Sequence, residues 1–367
     1  MRICLVLLTI MTHQTCSKSI VKFNHSNIRI LQFADLHMGE DNDKDSITLQ
    51  LMQSILSLEH PDFVVFSGDQ VAGYDVFYND RRVLLWEKAL GVVAGLHIPF
   101  ATIFGNHDDQ PYHMDMMMWN GFAYYALFAV FVIYSGAVLM PCMKRKVVCR
   151  LSVLISLTLA FISLAVTNPS HSTRRAILDH EHRAFPNFSY TGCDSVGLHG
   201  VSNYRVILQT PASSVALYFI DSGGGLIPDG ISLDQLEWLK RLDTATPAIA
   251  FVHIPPVQFG SLFSRHSQCF GDAPREASSK CPGSENLLET LASVGTRAVF
   301  VGHDHGNSWC CYVDSMLLCY GKHSGFGGYD FDDNVRGVRV IDLHLVNNAS
   351  FMSISTRISL WDARSGS

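Results

Sequence analysis

Short apolar runs that end at a glycine or an acidic residue recur along most of the chain. Examples are "IRILQFADLH", "DFVVFSGDQ" and "AVFVGHDH", whose apolar parts have the length of a buried strand. Segments with apolar residues at helical spacing lie between them, for example "SITLQLMQSILSLEH" and "SLDQLEWLKRL". Strands that alternate with helices predict an α/β fold whose sheets are covered by helices on both faces.

Two longer apolar runs interrupt this pattern in the middle of the chain. Residues 121–140 carry no charge, and residues 147–166 carry only Arg150. A helix of about 20 residues crosses the hydrocarbon core of a bilayer, and the basic loop "KRK" between the runs would face the cytoplasm. We therefore predict that residues 116–166 form an inserted transmembrane helical hairpin. Two alternatives stay open, a buried helical pair in a soluble domain and a translated non-coding stretch.

The N-terminus has the shape of a signal peptide. Residues 1–18 contain one early arginine, a short apolar run and then small residues, although a first core strand is an alternative. N-x-S/T sequons, which accept glycans in secreted proteins, lie at Asn24, Asn187 and Asn348. We expect the remaining domain, residues 19–115 and 167–367, to enter the secretory pathway. It would be membrane-tethered on the lumenal or extracellular side, or secreted if the apolar insert is not a membrane hairpin.

Charge and cysteine content narrow the class of protein further. A net charge of −6 argues against a nucleic-acid partner, which needs a basic surface. Six cysteines lie outside the signal region and the apolar insert, namely Cys193, Cys269, Cys281, Cys310, Cys311 and Cys319. Sequence cannot choose among their pairings, but Cys269 with Cys281, and Cys319 with Cys310 or Cys311 across a predicted hairpin, are reasonable local disulfides. Zinc is the competing interpretation, although the chain has no C-x-x-C pair.

Metal-type side chains follow five of the predicted strands. They are Asp35 and His37, then Asp69, then Asn106, His107 and Asp108, then His253, and finally His303 and His305. Ligands in α/β folds gather beyond the carboxyl ends of the strands, so we expect these clusters to meet in one site. Oxygen and imidazole donors without thiolate suit iron, zinc or manganese, and a carboxylate can bridge two cations about 3.5–4 Å apart. The residue types therefore predict a site for two metal ions.

The order of these residues resembles the pattern of the calcineurin-like metallophosphoesterase superfamily. That pattern is D-x-H, G-D, G-N-H-D/E, a lone histidine and G-H-x-H, and here it spans residues 28–305. The segments "GVSNYRVIL", "YFIDSGG", "FVHIPP" and "YGKHSGFGGY" are similar to purple-acid-phosphatase-like proteins of the short plant and fungal type. The resemblance implies a four-layer α/β/β/α sandwich with a dinuclear metal site.

The resemblance also implies a role for each residue of the site. The first metal ion would be held by Asp35, His37, Asp69 and His305. The second would be held by Asp69, Asn106, His253 and His303, so that Asp69 bridges the two ions. His107 would face the scissile phosphate, and Asp108 would orient His107 as a hydrogen-bond partner. If the last strand continued through "GHDH", His303 and His305 would point to the same side, yet the resemblance gives them to different ions.

This interpretation predicts a phosphatase that hydrolyses phosphate monoesters with a metal-activated hydroxide. The substrate would be a phosphorylated small molecule, lipid or protein. The alternatives are a phosphodiesterase acting on a lipid headgroup or nucleotide, and a catalytically silent membrane protein on the same fold. True purple acid phosphatases have a tyrosine that binds iron(III) where this chain has Ala72, so we expect no purple colour.

Overall fold

A computed structural model of the protein describes residues 19–76, 79–111, 173–192, 197–265, 268–331, 335–346 and 352–362. The predicted signal peptide, the predicted transmembrane hairpin and the sequon at Asn348 lie outside these ranges. Among the helices within them, none has both the length and the apolar character that crossing a membrane requires.

The described residues form strands and helices in the alternating order that the sequence predicts. The strands are β1 (Ile20–Lys22), β2 (Asn27–Phe33), β3 (Phe63–Ser67), β4 (Phe100–Ile103), β5 (Tyr204–Gln209), β6 (Ser214–Ile220), β7 (Ala248–Val252), β8 (Cys269–Phe270), β9 (Thr296–Val301), β10 (Cys310–Val313), β11 (Met316–Tyr320), β12 (Gly337–Leu345) and β13 (Met352–Leu360). The α-helices are α1 (Asn42–Glu59), α2 (Asn79–Gly95), α3 (Arg174–Ala184), α4 (Leu233–Lys240), α5 (Phe259–Arg265) and α6 (Leu287–Ser293).

The strands assemble into two sheets. The smaller has the order β13-β12-β2-β3-β4, and the larger has the order β1-β5-β6-β7-β9-β11-β10-β8. In the smaller sheet, β2, β3 and β4 are parallel neighbours. In the larger sheet, β6, β7 and β9 are parallel neighbours. Because parallel strands end at the same edge of a sheet, each sheet presents a row of carboxyl ends to the loops that follow.

Alternating apolar residues give each sheet two buried faces. In β2, Ile28 and Ile30 belong to the core between the two sheets, whereas Leu31 and Phe33 pack with helices α1, α2 and α3. The outer face of the larger sheet packs against α4, α5 and α6 in a third core. The layers are therefore helix, sheet, sheet, helix, and the predicted four-layer α/β/β/α arrangement is confirmed for the described residues.

Helix α1 begins where Asp41 caps it, since the Asp41 carboxylate accepts hydrogen bonds from the backbone N–H groups of Asp43 and Lys44. The buried Asp45 in the first turn accepts a hydrogen bond from the backbone N–H of Gly39 at 2.8 Å. This bond ties the start of the helix to the loop after β2, which carries two of the predicted metal ligands.

Two disulfides join strands at the edge of the larger sheet. Cys310 pairs with Cys319 across the antiparallel strands β10 and β11. This confirms one of the two pairings expected for Cys319. The expected bridge from Cys269 to Cys281 is wrong, because Cys269 pairs with Cys311 and Cys281 is a free, buried thiol. The cause is the short strand β8, which pairs with β10 and places Cys269 directly opposite Cys311.

Candidate metal centre

Five strands from the two sheets deliver their following loops to one place. Loops after β2, β3 and β4 come from the smaller sheet, and loops after β7 and β9 come from the larger. The backbone N–H of His303 donates to both carboxylate oxygens of Asp35, at 3.0 and 3.2 Å. The ring of His253 contacts Asp69. Residues that are far apart in sequence thus meet beyond the strand ends, as the pattern predicts.

The backbone of this site adopts the left-handed region at four of the predicted ligands. The φ angles are 59° at Asp35, 47° at His37, 55° at Asp69 and 73° at His303. Non-glycine residues enter this region at a cost in free energy, and such residues cluster at functional sites. The feature therefore marks the site independently of the side-chain types.

Gly68 shows how tightly the loops approach one another. Its φ is +105°, and a Cβ atom at this position would lie 2.3 Å from Nδ1 of His253 and 2.9 Å from the Cα of Gly105. Only glycine fits between the two loops.

The first group of candidate ligands contains Asp35, His37 and His305, all buried. The Nε2 atoms of His37 and His305 are 3.1 Å apart, and Nε2 of His305 lies 3.9 Å from Oδ1 of Asp35. The three side chains therefore converge on a common point.

The second group contains Asp69, His253 and His303, and the Asn106 side chain joins it. Oδ1 of Asn106 lies 3.0 Å from Nε2 of His253 and 2.8 Å from Nδ1 of His303. Oδ2 of Asp69 lies 3.1 Å from Nε2 of His253 and 3.7 Å from Nε2 of His37. The Asp69 carboxylate therefore reaches both groups, which is the placement that a bridging ligand needs.

His303 and His305 fall in different groups, and the backbone explains why. Strand β9 ends at Val301, so the alternation of a strand does not extend to the two histidines. The left-handed φ at His303 then turns its ring toward Asn106, while His305 faces His37. Asp304 between them accepts hydrogen bonds from the Ser279 hydroxyl and the Tyr320 hydroxyl, so it holds the loop in place.

The donor atoms fit two metal ions. Imidazole and carboxylate ligands bind such ions at about 2.0–2.2 Å, so two ligand atoms on one ion lie about 3.0–3.5 Å apart. The closest pairs here are 2.8–3.1 Å apart, between Asn106 and the rings of His303 and His253, between His37 and His305, and between His253 and Asp69. Within each group the ligand atoms lie within 4.8 Å of one another. The residues present are therefore able to hold one ion per group.

Hydrogen bonds on the far side of two rings fix which nitrogen faces the site. Nδ1 of His253 lies 2.9 Å from the carbonyl oxygen of Ser67, and Nδ1 of His305 lies 2.7 Å from the carbonyl oxygen of Tyr329. A carbonyl oxygen only accepts, so each Nδ1 carries the proton. Nε2 of each ring is then the atom that faces the candidate ligands, as metal-binding histidines require.

Burial and neighbouring charges shift the pKa values of these groups in the metal-free protein. Burial lowers the pKa of both His303 and His305 to about 4, so that their rings are neutral at pH 7. Burial also opposes the charge of His253, but the Asp69 carboxylate, the Asp35 carboxylate and the hydrogen bond to Ser67 together outweigh it and raise the pKa of His253 to about 9. Burial, with a contribution from the Asp69 charge, raises the pKa of Asp35 to about 8. A bound cation would need Asp35 ionised and His253 neutral, so metal binding should release protons.

Asp108 does not orient His107, and that prediction is wrong. Its carboxylate instead accepts three backbone N–H bonds, from Gly105 at 2.7 Å, from Val71 at 2.9 Å and from Asp69 at 3.1 Å. These bonds hold the loop after β3 against the loop after β4. Asp108 therefore positions the backbone of Asp69, the residue shared by the two groups.

Gln110 takes the place that the sequence assigned to Asp108. Its Oε1 atom is hydrogen-bonded to Nδ1 of His107, and the backbone N–H of His107 donates to Oδ1 of Asp69 at 2.7 Å. Nε2 of His107 faces the site, 3.9 Å from Oδ2 of Asp69, and its side chain is 28% exposed whereas that of Asp69 is 1% exposed. No pattern in "GNHDDQ" distinguishes Gln110 from an ordinary turn residue, so the sequence carried no signal for it.

Two tyrosines and one further histidine, none of them predicted from the sequence, pack around the ligands. The Tyr74 ring lies edge-on to the His107 ring with centroids 4.8 Å apart, and its hydroxyl donates to Glu40. The Tyr329 ring stacks on His305 at 4.0 Å. His323 is buried beside His305, at 3.8 Å between ring centroids. Tyr329 and His323 come from the "YGKHSGFGGY" segment. This segment is similar to purple-acid-phosphatase-like proteins, but the sequence predicts no role for these two residues.

Comparisons with known proteins agree with this site. The family model of the calcineurin-like phosphoesterases matches residues 28–153. This match and the relatives below support the assignment of the chain to the calcineurin-like phosphoesterase superfamily. The chain is similar to purple-acid-phosphatase-like proteins, and these similarities support metal-dependent phosphoester hydrolysis in general.

Two similar proteins come from Arabidopsis thaliana. "Probable inactive purple acid phosphatase 28" is 26% identical, with 86% of this chain and 75% of the relative covered. "Probable inactive purple acid phosphatase 29" is 24% identical, with 90% of this chain and 80% of the relative covered. A dimetal phosphatase from Danio rerio is a similar solved structure, with a TM-score of 0.45, 14% identity, and 90% of this chain and 96% of that chain covered.

Proposed function

We propose that the protein is a dinuclear-metal-dependent phosphatase that hydrolyses phosphate monoesters. The observation that carries this proposal is the pair of ligand groups that meet at Asp69, with the partly exposed His107 beside them. A phosphate group can approach from the side of His107, whose side chain is 28% exposed.

The ligand assignment follows the two groups. Asp35, His37 and His305 would hold one ion, and Asn106, His253 and His303 would hold the other, with Asp69 shared between them. When bound, two such cations would lower the pKa of a water molecule and draw charge from the phosphoryl oxygens. Asn106 contributes a neutral carbonyl oxygen, which adds a ligand without adding charge.

His107 supports the reaction from outside the ligand groups. Nδ1 of the ring is hydrogen-bonded to Oε1 of Gln110, so Nδ1 carries a proton and the ring is fixed with Nε2 toward the site. A protonated Nε2 would stabilise charge on a phosphoryl oxygen, or give its proton to the leaving oxygen.

A second candidate function is a metal-binding protein without catalytic activity. The names of the two Arabidopsis thaliana relatives include the words "probable inactive", which favours this second function. The complete set of donors in the two ligand groups and the placement of His107 beside them favour the enzyme.

We further propose that the protein matures in the secretory pathway. Disulfides persist in oxidising compartments, and the described residues contain two. The sequon residues Asn24 and Asn187 are exposed, as glycan acceptors must be. The same proposal includes a membrane tether formed by residues 116–166. It also includes a phosphorylated small molecule, lipid or protein as the substrate.

The experiment is metal analysis combined with turnover on purified protein. We expect two metal ions per chain and faster hydrolysis of p-nitrophenyl phosphate than of its bis ester. His107→Ala should lower kcat about 10²–10⁴-fold and leave the metal content and melting temperature near wild type. Asp69→Asn should lower both metal content and turnover, because it removes the shared charge.

The matched control is His344→Ala, which removes an exposed histidine on β12. This variant should keep wild-type turnover. A wild-type kcat in His107→Ala would overturn the role of that ring. Two bound ions with no turnover on either ester would instead select the catalytically silent protein, and faster turnover of the bis ester would select a phosphodiesterase.

A further inference from the structure

Arg174 is a buried arginine that none of the predicted roles includes. It is the first residue of α3 and is only 3% exposed. Its Nε atom donates to Oδ1 of Asp109 at 3.2 Å, and its Nη1 atom forms an ion pair with Asp221. Its Nη2 atom faces three backbone carbonyl oxygens, those of Gly105, Gly223 and Gly224, at 2.8–2.9 Å.

These contacts join two separate loops. Gly105 and Asp109 bracket Asn106 in the loop after β4. Asp221, Gly223 and Gly224 lie in the loop after β6. One guanidinium group therefore clamps the loop that carries a candidate ligand to a loop that carries none.

The loop after β6 is pressed directly against Asn106. A Cβ atom on Gly224 would lie 2.3 Å from the Cβ of Asn106, and one on Gly225 would lie 2.0 Å from Oδ1 of Asp109. Gly223, Gly224 and Gly225 all have left-handed φ angles, of 73°, 99° and 66°. Three consecutive glycines have large conformational freedom in an unfolded chain, so this backbone needs bonds from elsewhere to keep one shape.

The same loop also reaches a second candidate ligand of that group. The Ser222 hydroxyl accepts a hydrogen bond from the backbone N–H of Ile254 at 3.1 Å, next to His253. The Asp221 carboxylate also accepts hydrogen bonds from the backbone N–H groups of Val201, Ser202 and Gly223. The Asp221–Gly225 loop is thus a rigid support behind Asn106 and His253.

We propose that Arg174 is a positioning residue for the second metal ion, because it fixes the Gly223–Gly225 loop against Asn106 and so holds that ligand in place. This inference rests on the proposed two-metal function. Among the described residues, the hydrogen bonds of Arg174 go to neither Asp35, His37 nor His305. We therefore expect the main effect of Arg174 to fall on the second ion, because Arg174 bonds none of the ligands that serve the first ion alone.

Lysine is the informative replacement. A lysine keeps the positive charge between Asp109 and Asp221, but its single ammonium group cannot reproduce the fork of a guanidinium on two carboxylates and three carbonyl oxygens. Loss of an outer hydrogen-bond partner of a ligand weakens metal affinity about 10- to 100-fold. We expect Arg174→Lys to weaken the binding of the second ion by this factor and to leave the binding of the first ion unchanged.

The experiment is equilibrium dialysis of the metal-free full chain against Zn²⁺, followed by metal analysis. Wild type should bind two ions per chain. Asn106→Ala should lose the binding step of the second ion and so identify which step that is. Arg174→Lys should shift the midpoint of the step that Asn106→Ala removes by about 10- to 100-fold and leave the other step in place. The added methyl group of Gly224→Ala would displace Asn106 without removing a buried charge. This variant therefore tests whether the loop positions Asn106 if Arg174→Lys does not fold.

Arg339→Lys is the matched control. Arg339 is equally buried and binds the carbonyl oxygens of Tyr320 and Ser308, away from Asn106. Arg339→Lys should lose stability without a shift in the Zn²⁺ binding step that Asn106→Ala removes. Unchanged affinity for both ions in Arg174→Lys and in Gly224→Ala, with two ions on wild type, would overturn this inference alone. Fewer than two ions on wild type would instead contradict the proposed function.

Discussion

Replacing Asp35 by asparagine should stabilise the metal-free protein while destroying its first metal site. Asp35 is 2% exposed, and its nearest charged neighbours include the Asp69 carboxylate. Without a cation, the folded protein must keep this carboxyl group buried close to another negative charge. The asparagine side chain would have nearly the same shape and could still accept the hydrogen bond from the backbone N–H of His303.

The size of the effect follows from the pKa. Burial raises the pKa of Asp35 from 3.8 to about 8. The unfolded chain therefore releases this proton at lower pH than the folded chain, and the free energy of unfolding falls by about 1.4 kcal/mol for each pH unit between the two values. Between pH 5 and pH 8 the loss is about 4 kcal/mol. The asparagine side chain loses no proton, but leaving its NH₂ group without a partner costs about 1–3 kcal/mol.

The assay is urea denaturation of chelator-treated protein at pH 5 and pH 8. At pH 8 we expect Asp35→Asn to be more stable than wild type by about 1–3 kcal/mol. At pH 5 only the cost of the amide remains, so the variant should be less stable than wild type by about 1–3 kcal/mol. The pH dependence of wild type should be steeper than that of the variant. With Zn²⁺ present the order should reverse, since wild type binds the ion and its folded state gains stability as the concentration of free ion rises.

The control is Asp234→Asn, which changes an exposed carboxylate at the start of α4. It should leave the difference between pH 5 and pH 8 as in wild type. The reasoning is refuted if metal-free Asp35→Asn is less stable than wild type at pH 8, or if both lose equal stability between the two pH values.

Three further outcomes follow from the site and its surroundings. Gln110→Leu should lower kcat on p-nitrophenyl phosphate about tenfold or more, because His107 loses the acceptor that orients it, and an unchanged kcat with unchanged metal content would contradict this. Iron-loaded protein should show no visible tyrosinate-to-iron band, because the Tyr74 hydroxyl donates to a glutamate outside both ligand groups. A purple colour that disappears in Tyr74→Phe would refute that assignment. Thiol labelling of unreduced, denatured protein should modify Cys281, and a disulfide that contains it would show the pairing to be wrong.

The strands and the candidate ligands were predictable because both leave local signals. A run such as "FVVFS" predicts a fully buried strand from its apolar residues alone, and β3 is buried at every position. Asp69 follows it after one glycine. Since parallel strands end together, a residue in this position must lie near its counterparts on neighbouring strands.

The supporting residues were not predictable because their partners are distant in sequence. Asp108 accepts a hydrogen bond from Val71, 37 residues away, and Arg174 binds Asp221, 47 residues away. Neither pairing changes the pattern of apolar and polar positions. The pairing of Cys269 failed for the same reason, because it depends on a strand of only two residues whose neighbour is set by the sheet.

The left-handed backbone at the ligands also decides how the site should be mutated. At Asp35, His37, Asp69 and His303 an alanine would carry its Cβ into a conformation that costs about 1–2 kcal/mol for most L-residues, whereas asparagine tolerates it. Alanine scanning would therefore mix backbone strain with the loss of a ligand at these positions. Asparagine is the cleaner replacement there, and alanine is suitable at His253 and His305, whose φ angles are negative.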